Sequence, residues 1–401
     1  MTTCKEAVVS TLGSLAKVFD RTRPFRDASN GGRFWMAGNT FLVALDAMYA
    51  ASVRDDYGFA VEALSFFKDS LKDTAPSGWR DDNGWWTDDY GWWGLAFAAA
   101  YTYGDVLGYS PDQKATFRQN ALNCYTAMFS VWKKTTLNWS DGGNSYSISG
   151  GIANTDSDER LAGRNTVTNA IFWQVAQKLV AAGESDCAAG VSKAWDFFHQ
   201  GYEQKLLFNE ENLIWQRFFK MPCEGDKNAA WQPNWAWLGD QGLLMSCFYA
   251  TAGDGPFTPL MATFVADTVK AKRVVGGDIL HEDLTPVPNY WMDYAAGKGT
   301  FMRNLGQVNN LLHGSGSTVA DYDQWIKDNA SVLWKNRDAN GLFPYFWNKE
   351  QGERPLDDWG YPQGVVDCVL TAAGLSALTA TLPRMADQEC LRSTTFVPVV
   401  N

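Results

Sequence analysis

The chain has 401 residues, 46% hydrophobic and 20% charged, so it can bury a large core and is not of the disordered class. Acidic residues outnumber basic ones by 45 to 34, and this formal charge of −11 lacks the basic footprint of a nucleic-acid-binding protein. The longest apolar run that we identify, Gly94 to Tyr101, is far shorter than the roughly 18 residues of a membrane span. We therefore expect no nucleic-acid partner and no membrane span.

The hydrophobic pattern repeats with a helical period through almost the whole chain. In chain order, helices are predicted near residues 5–19, 34–51, 58–71, 92–107, 112–132, 164–182, 188–202, 235–252, 259–272, 302–313, 319–336 and 364–382. Between alternate helices the sequence has long polar and aromatic loops, at 74–90, 136–163, 208–234, 274–300 and 340–361. Loops of this length inside a domain usually carry function.

Short connections that alternate with long loops indicate helical hairpins whose long loops gather on one face. Twelve helices in six hairpins, closed into a ring, make an all-α fold, the (α/α)6 barrel. No Pro-, Gly- or Ser-rich linker divides the chain, so we expect one domain over residues 1–401. Seven cysteines without a C-x-x-C pair favour mostly free, buried thiols, with one or two disulfides left open.

Aromatic residues make up 14% of the chain, including 19 Trp. Indole and phenyl rings fill cores, and they also stack on the apolar faces of sugars. The densest aromatic segment is Asp81-Asp-Asn-Gly-Trp-Trp-Thr-Asp-Asp-Tyr-Gly-Trp-Trp-Gly94, a near-repeat of seven residues. Four carboxyl groups beside four indoles repel one another and lose water, and both effects raise carboxyl pKa values.

Glycoside hydrolysis uses such a carboxyl pair, one as acid and one as nucleophile or base. An Asp88–Asp89 pair is geometrically admissible, because adjacent residues that enter a helix can splay their side chains to roughly the 5 Å that retention requires. The alternative is that Asp88 caps the helix that follows and that the indoles belong to the core.

Four stretches resemble, in order, the motifs of glycoside hydrolase family 76, the endo-α-1,6-mannanases and their fungal cell-wall relatives. Thr87–Ala96 is similar to the Asp-Asp-x-x-Trp-Trp-x-Leu-Ala signature, and Phe34–Gly38 to the opening Phe-Trp-x-Ala-Gly helix. Gly150–Ile152 with Arg164–Asn169 resembles the family's glycine loop and Lys-Asn-x-Ile-Ser-Asn helix start, and Lys298–Arg303 its Lys-Gly-x-Phe-x-Arg segment. The fold of that family is the (α/α)6 barrel.

The resemblance implies a retaining mechanism, with Asp88 as nucleophile and Asp89 as general acid/base. It favours this pair over Asp81 and Asp82, because the family motif runs directly into an apolar, Ala-rich helix and only Asp88 and Asp89 do so here; Asp81 and Asp82 are then expected to be substrate contacts or surface loop. It also implies a set of substrate-binding residues: Trp86, Tyr90, Trp92, Asp81, Asp82, Gly150, Gly151, Asn165, Asp240, Lys298 and Arg303. A structural role is the alternative for Lys298 and Arg303. Trp93 is expected to be more buried than the other indoles of its motif.

The sequence departs from the family pattern at three places. The aromatic wall of the glycine loop is replaced by Ala153 and Asn154, Asp240 stands where Asn is usual, and Gly297 stands where Phe precedes the lysine. Substrate identity is therefore open.

The expected activity is hydrolysis or transfer of α-1,6-linked mannosyl units. The alternatives are a related barrel enzyme with a smaller substrate and a non-hydrolytic glycan-binding protein. The expected partner is a carbohydrate or another small molecule, and neither a cofactor nor a metal is needed.

The three histidines are scattered, so His281-Glu-Asp283 is only a weak cation alternative. Glu282, Asp283 and Asp293 lie in the long loop before the Lys298–Arg303 motif and could bear on the cleft, but acids on a solvated loop are the commoner case. The first twenty residues lack a signal-peptide pattern. The compartment is therefore intracellular as the chain reads, or extracellular or in the cell wall if a leader has been removed.

Overall fold

Twelve long helices dominate the parts of the chain that the computed structural model describes, residues 2–19, 34–70, 87–141, 143–154, 164–217, 235–251, 255–282, 291–316, 321–349 and 363–385. The helices are α1 Cys4–Val18, α2 Phe34–Ala50, α3 Phe59–Ser70, α4 Thr87–Leu107, α5 Pro111–Ser130, α6 Thr166–Ala181, α7 Ala188–Glu203, α8 Leu238–Ala250, α9 Pro259–Lys272, α10 Trp291–Gly314, α11 Asp323–Asn336, α12 Gln363–Thr379 and the short α13 Leu382–Met385. Two antiparallel hairpins accompany them: β1 Thr136–Asp141 with β2 Asn144–Ser149, and β3 Val274–Val275 with β4 Ile279–Leu280.

The even-numbered helices form a closed inner ring. Each of α2, α4, α6, α8, α10 and α12 packs against the next, and α12 returns to α2. The odd-numbered helices lie outside, each against one or two inner helices, as α5 lies on α4 and α9 on α8. The predicted (α/α)6 barrel is confirmed.

The inner helices run parallel to one another. Phe34 of α2 contacts Tyr90 of α4, and seven residues further along α2 the ring of Phe41 contacts Phe97. Small residues let the backbones approach closely: a Cβ on Gly299 of α10 would lie 2.6 Å from the Cα of Ala373 of α12. All six inner helices therefore begin at the same end of the barrel, which we call the mouth.

Inner and outer helices differ in sequence as their positions require. Every residue of α2 from Phe34 to Met48 is buried, as expected for a helix surrounded by others. The outer helices carry polar caps instead: Thr3 and Glu6 form a capping box at α1, and Ser110 and Gln113 form one at α5.

One apolar stretch is longer than the sequence analysis recognised. Gln363–Arg384 has 22 residues, and its most apolar 18-residue window has a mean hydropathy of 1.7, so by length and composition it could cross a membrane. In the fold, 94% of its most apolar window is buried, because α12 is a member of the inner ring. Within the described ranges, no other helix meets this criterion.

Three other local predictions are corrected. The 136–163 loop contains the β1–β2 hairpin, because Leu137 and Ile148 alternate with polar neighbours at the period of a strand. Helix α10 begins at Trp291, not near 302, because the glycines at 297 and 299 hide its helical pattern. Helix α4 begins at Thr87, which places Asp88 and Asp89 in its first turn.

The cysteines agree with the expectation of mostly free, buried thiols. Cys124, Cys187, Cys247 and Cys368 are free and buried, whereas Cys4 is in a disulfide bond. Cys223 and Cys390 lie outside the described residues.

Candidate active site

Five acidic residues meet at or near the mouth of the barrel. Asp88 and Asp89 are in the first turn of α4, Asp240 in that of α8 and Asp293 in that of α10, while Glu282 follows strand β4. Because the inner helices are parallel, their first turns share one end of the ring. The sequence separates these residues by up to two hundred positions, and the fold brings them together.

Asp88 is partly exposed, but its Oδ1 atom is shut off from solvent and has no hydrogen-bond partner among the described residues. Burial of the carboxyl group raises its pKa to about 7, against a smaller opposing effect of its own backbone N–H. This oxygen is therefore not committed to holding the fold.

Asp89 and the aromatic residues beside it are buried more deeply. Asp89 is 1% exposed, and Tyr90 is 6% exposed. The Trp92 ring packs against Trp35 at a centroid distance of 5.5 Å, and the Trp93 Nε1 donates to the Phe34 carbonyl at 2.8 Å. Both indoles are buried. Trp93 was expected to be the more buried of the two, but the difference in exposure is small, and Trp92 packs as a core residue.

Asp240 is wholly buried, and neither of its carboxylate oxygens has a hydrogen-bond partner within the described ranges. Burial raises its pKa well above the usual value, and the charges of Glu282 and Asp88 raise it further. Glu282 is buried too, and both of its carboxylate oxygens accept from the Leu238 N–H, at 3.3 and 3.1 Å.

Asp293 lies on helix α10 and not on the solvated loop that the sequence analysis expected. Burial raises the pKa of its carboxyl group to about 7, with a further contribution from the charge of Asp88. Its carbonyl accepts from the Trp237 Nε1 at 2.9 Å. The Trp237 ring covers Gly297, where a Cβ would lie 2.3 Å from that nitrogen. The missing Phe at 297 is thus matched by the indole of Trp237, the N-cap residue of α8.

Lys298 is the buried cation of this region. Its Nζ donates to the Tyr345 carbonyl and lies 4.4 Å from the Tyr345 ring centroid and 5.3 Å from that of Trp347. Burial lowers the pKa of the ammonium group to about 7, and the charge of Glu282 opposes that effect. The Tyr345 hydroxyl has no hydrogen-bond partner among the residues described.

The predicted glycine loop supports helix α4 from behind. Gly150 and Gly151 have φ of +77° and +88°, and a Cβ on Gly151 would lie 2.5 Å from the Phe197 ring. The Asn154 carbonyl accepts from the Thr87 N–H at 2.7 Å, which fixes the start of α4. This stretch places backbone, not an aromatic wall, beside Asp88.

The start of helix α6 completes that support. The Asn169 Oδ1 accepts from the Ile152 N–H at 2.7 Å, and its Nδ2 donates to the Ile152 carbonyl at 3.1 Å. The Thr168 hydroxyl lies within hydrogen-bond distance of both the Asn165 Oδ1 and the Asn154 Oδ1, and its single proton can serve either oxygen. Asn165 is 2% exposed and is engaged within the protein.

Arg303 lies away from the acidic mouth. It is ten residues beyond Asp293 on α10, about 15 Å along a helix. Its Nη1 donates to the Asn39 Oδ1 at 3.2 Å, and its Nε lies 3.7 Å from the Asp46 Oδ2. These contacts hold helices together, which fits the structural role, one of the two alternatives for Arg303. Asp81, Asp82 and Trp86 lie outside the described residues.

One group of potential metal ligands stands elsewhere, where α10 ends and α11 begins. His313, Asp321 and Asp323 offer ligand atoms within 4.8 Å of one another. Protein donors already engage Asp323: its oxygens accept from Asn309 at 2.7 Å and from Arg384 at 2.6 Å. This group lies apart from the mouth, at the C-terminal end of α10 and the start of α11.

Sequence reasoning undervalued Glu282, Asp293 and Tyr345. The signal for Asp293 was Trp291-Met-Asp-Tyr294, an aromatic segment whose spacing continues into the Lys298–Arg303 motif on one helix. Glu282 and Tyr345 are on loops, and no local pattern places them near Asp88.

The arrangement suits acid–base chemistry on a neutral substrate. It presents adjacent carboxyl groups in a poorly solvated place, where neighbouring charges separate the pKa values of the acids. One group can then be ionised while another keeps a proton, as a general acid and a nucleophile require.

Solved structures share this fold. An inactive variant of the alpha-1,6-mannanase GH76A of Salegentibacter sp. HEL1_6, in complex with alpha-1,6-mannotriose, is 14% identical, with a TM-score of 0.66 over 94% of this chain and 99% of that chain. Dfg5 from Chaetomium thermophilum, in complex with glucosamine, is 14% identical, with a TM-score of 0.62 over 88% and 81% of the two chains.

A third structure is a family 76 glycoside hydrolase from a bovine Bacteroides thetaiotaomicron strain, 13% identical, with a TM-score of 0.64 over 96% of this chain and 78% of that chain. No family model and no curated protein matches the sequence. The similarity found by these comparisons therefore lies in the architecture. The chain has the fold of the family 76 glycoside hydrolases, the family that its sequence resembles.

Proposed function

We propose that the protein is a retaining glycosidase or transglycosylase that acts on α-1,6-linked mannosyl units, with Asp88 as nucleophile and Asp89 as general acid/base. The observation that carries this proposal is the adjacent carboxyl pair in the first turn of an inner helix. It lies at the mouth, and the Asp88 Oδ1 there has no hydrogen-bond partner among the described residues.

The structural neighbours support the choice of substrate and of residues. One neighbour is a mannanase made inactive by Asn substitution of two consecutive aspartates, and its structure holds alpha-1,6-mannotriose. A second neighbour holds glucosamine. A carbohydrate is therefore the substrate class that we assign to this mouth, and the chemistry calls for no cofactor.

The proposed reaction has two steps, each with one bond formed and one broken at the anomeric carbon. Asp88 forms a bond to that carbon while Asp89 gives its proton to the departing glycosidic oxygen. Asp89, now ionised, takes a proton from water or from an acceptor hydroxyl, whose oxygen displaces Asp88. Two inversions give net retention, and both carboxyl groups return to their starting states.

The altered glycine loop bears on what the second step accepts. Ala153 is fully buried, and Asn154 is held by Thr87 and Thr168, so this loop offers no aromatic side chain to a sugar. A site that lacks these aromatic side chains is suited to a sugar bound in a different orientation, or to a glycan as the acceptor. This observation keeps the smaller-substrate barrel enzyme as the second function to test.

The test is product analysis on α-1,6-mannan by thin-layer chromatography for the wild type, Asp88→Asn and Asp89→Asn. Asp105→Asn is the matched control, because Asp105 is on the same helix with its side chain 84% exposed and pairs only with Lys114 in the described part of the chain. Circular dichroism verifies that each variant folds. Proton NMR of the first product reports the anomeric configuration.

The expected result is oligosaccharide release with retention by the wild type and Asp105→Asn, and none by the other two variants. Mannan left intact by the folded wild type would reject the mannanase assignment. Binding of mannan without cleavage would indicate a glycan-binding protein. Initial inversion would reject Asp88 as the nucleophile.

A further inference from the structure

Asp240 occupies a position in which a carboxylate is normally well solvated or well capped. It is the third residue of α8, where backbone N–H groups and the helix dipole favour an ionised side chain. Yet Asp240 is 0% exposed, and within the described part of the chain neither of its oxygens accepts a hydrogen bond.

Two of the backbone donors at the start of α8, and the Gln241 side chain, are used by other groups. The Leu238 N–H donates to Glu282, and the Gln241 N–H donates to the Trp237 carbonyl at 3.4 Å. The Gln241 side chain pairs with the backbone of Ile214, donating to its carbonyl and accepting from its N–H, both at 2.8 Å. These contacts therefore leave an ionised Asp240 without a hydrogen-bond donor among the described residues.

The charges around Asp240 oppose its ionisation. Glu282, from the segment after β4, and Asp88, from α4, both act on it as like charges. Across the mouth, Asp293 of α10 couples to Asp88, and Lys298 of α10 interacts with Glu282 while its Nζ donates to the Tyr345 carbonyl. Burial raises the pKa of the Tyr345 phenol well above its usual value, so this group is neutral. Burial and two neighbouring acids raise the pKa of Asp240 by more than the helix dipole lowers it, since the dipole stabilises a carboxylate by about 1 kcal/mol at most sites.

We infer that Asp240 is a positioning residue that works as a neutral carboxylic acid: it keeps its proton while Asp88 ionises. This inference rests on the proposed function of Asp88. A neutral Asp240 leaves Asp88 as the carboxylate that attacks and supplies one O–H donor at the mouth. An ionised Asp240 would set a second fixed negative charge against the nucleophile.

Infrared difference spectroscopy tests the proton directly, without substrate. At about pH 6, where exposed carboxyl groups are ionised, the wild type is expected to show a carboxylic-acid C=O band that Asp240→Asn lacks. Asp105→Asn should leave the spectrum of protonated acids unchanged. As the pH rises, the band assigned by Asp88→Asn should disappear before the band assigned by Asp240→Asn.

Kinetics on mannan test the role in positioning. Asp240→Ala removes the donor, so kcat is expected to fall about 100-fold. Asp240→Asn keeps a neutral donor of the same shape, and its kcat is expected to fall by no more than about tenfold. A merely structural role would make the two variants differ in stability and not in kcat, which urea unfolding separates.

Two results would overturn the inference: a spectrum in which Asp240→Asn removes no acid band, or an Asn variant that is folded and as inactive as the Ala variant. The first would mean that Asp240 is ionised, and the second that its charge is needed. If the folded wild type leaves mannan uncut, the proposed function fails separately, and the order in which the two bands titrate still decides whether Asp240 keeps its proton.

Discussion

Asp88, Asp240 and Asp293 come from three different inner helices, yet the charge of Asp88 raises the pKa of both others. The cause is shared burial at one mouth, which weakens solvent screening and strengthens each repulsion. Their protonation is therefore a property of the group: a proton held by one acid makes ionisation of its neighbours easier.

The pH dependence of catalysis follows from Asp88. An attacking carboxylate must be ionised, and burial raises the pKa of Asp88 to about 7, so lower pH protonates it. We expect kcat/KM to fall as the pH drops below about 7, approaching tenfold per pH unit. The measurement is kcat/KM on α-1,6-mannotriose from about pH 5 to about pH 8, with Asp105→Asn as control. A flat profile down to about pH 5 would contradict this role for Asp88.

Trp237 and Gly297 form a matched pair in place of the family's Phe. Gly297→Ala is expected to lower the free energy of unfolding by about 1–3 kcal/mol, because its Cβ would lie 2.3 Å from the Trp237 Nε1. In the double variant with Trp237→Leu, the total loss of unfolding free energy should be smaller than the sum of the two single losses by about 1 kcal/mol or more. Urea unfolding measures both, and strict additivity would contradict the contact.

Gly13→Ala is the control for that experiment. Gly13 lies within α1 and has no atom within 4 Å of an added Cβ, so the substitution should be neutral or stabilising.

At this scale the sequence predicted part of the site. The run of Asp88 and Asp89 into an apolar helix could be read directly, because the residues are adjacent and the pattern after them is local. The electrostatic interaction of Asp88 with Asp240 and Asp293 could not be predicted in this way, because it depends on the parallel order of three helices. Whether Trp92 faces a sugar or the core also depends on Trp35, fifty-seven positions earlier in the chain.

Among the elements, the turn at 150–154 positions helix α4. It joins the β1–β2 hairpin to the starts of α4 and α6 through the Thr87 N–H and the Asn169 side chain. The sequence analysis found both glycines of this turn by resemblance and assigned them to substrate binding. Their positive φ and their contacts with Trp132 and Phe197 show packing constraints that composition does not express.

Removal of the Asn169 side chain tests this turn. Asn169→Ala leaves the buried Ile152 N–H and carbonyl without these partners, so we expect a loss of about 1–3 kcal/mol in unfolding free energy. Because Thr87 is held by the same turn, kcat of the folded variant should also fall by about tenfold or more.

Urea unfolding and assays below the transition check both values, with the surface variant Asn123→Ala on α5 as control. A loss of stability with an unchanged kcat would contradict a positioning role for the turn.

Element boundaries were predictable where the pattern is strong. Residues 259–272 were predicted as α9 and observed as Pro259–Lys272, where Thr258 caps the helix and Pro259 opens it. The start of α10 was placed eleven residues late, because Gly297 and Gly299 reduce helix propensity. Those glycines are required by tertiary contacts, with Trp237 and with Ala373, and local propensity cannot report such contacts.

In the whole molecule, the inner ring has a second polar cluster well below the mouth. Asp46 of α2, Tyr103 of α4, Lys178 of α6 and Arg303 of α10 interact there. Burial raises the pKa of Asp46, although Arg303 and Lys178 lower it. Four inner helices are thus joined through one carboxylate, and the ring as a whole, not any single hairpin, determines how stable this cluster is.

Asp46→Asn tests the structural assignment of Arg303. A buried cation that loses its partner is strongly destabilising, so the unfolding free energy is expected to drop by about 3 kcal/mol. The kcat of folded molecules should not change, because the cluster is remote from Asp88. Asp105→Asn, a surface pair, should cost no more than about 1 kcal/mol. A large fall in kcat with normal stability would place Arg303 in the reaction.

Between the mouth and this cluster, the Gln174 Nε2 donates to the Asn304 Oδ1 at 3.0 Å and to the Leu243 carbonyl at 2.8 Å, so side chains fill the bore. A polysaccharide cannot thread through such a barrel. Under the proposed function, a polymeric substrate would therefore be held and cut across the mouth, and both of its fragments would leave from that same face.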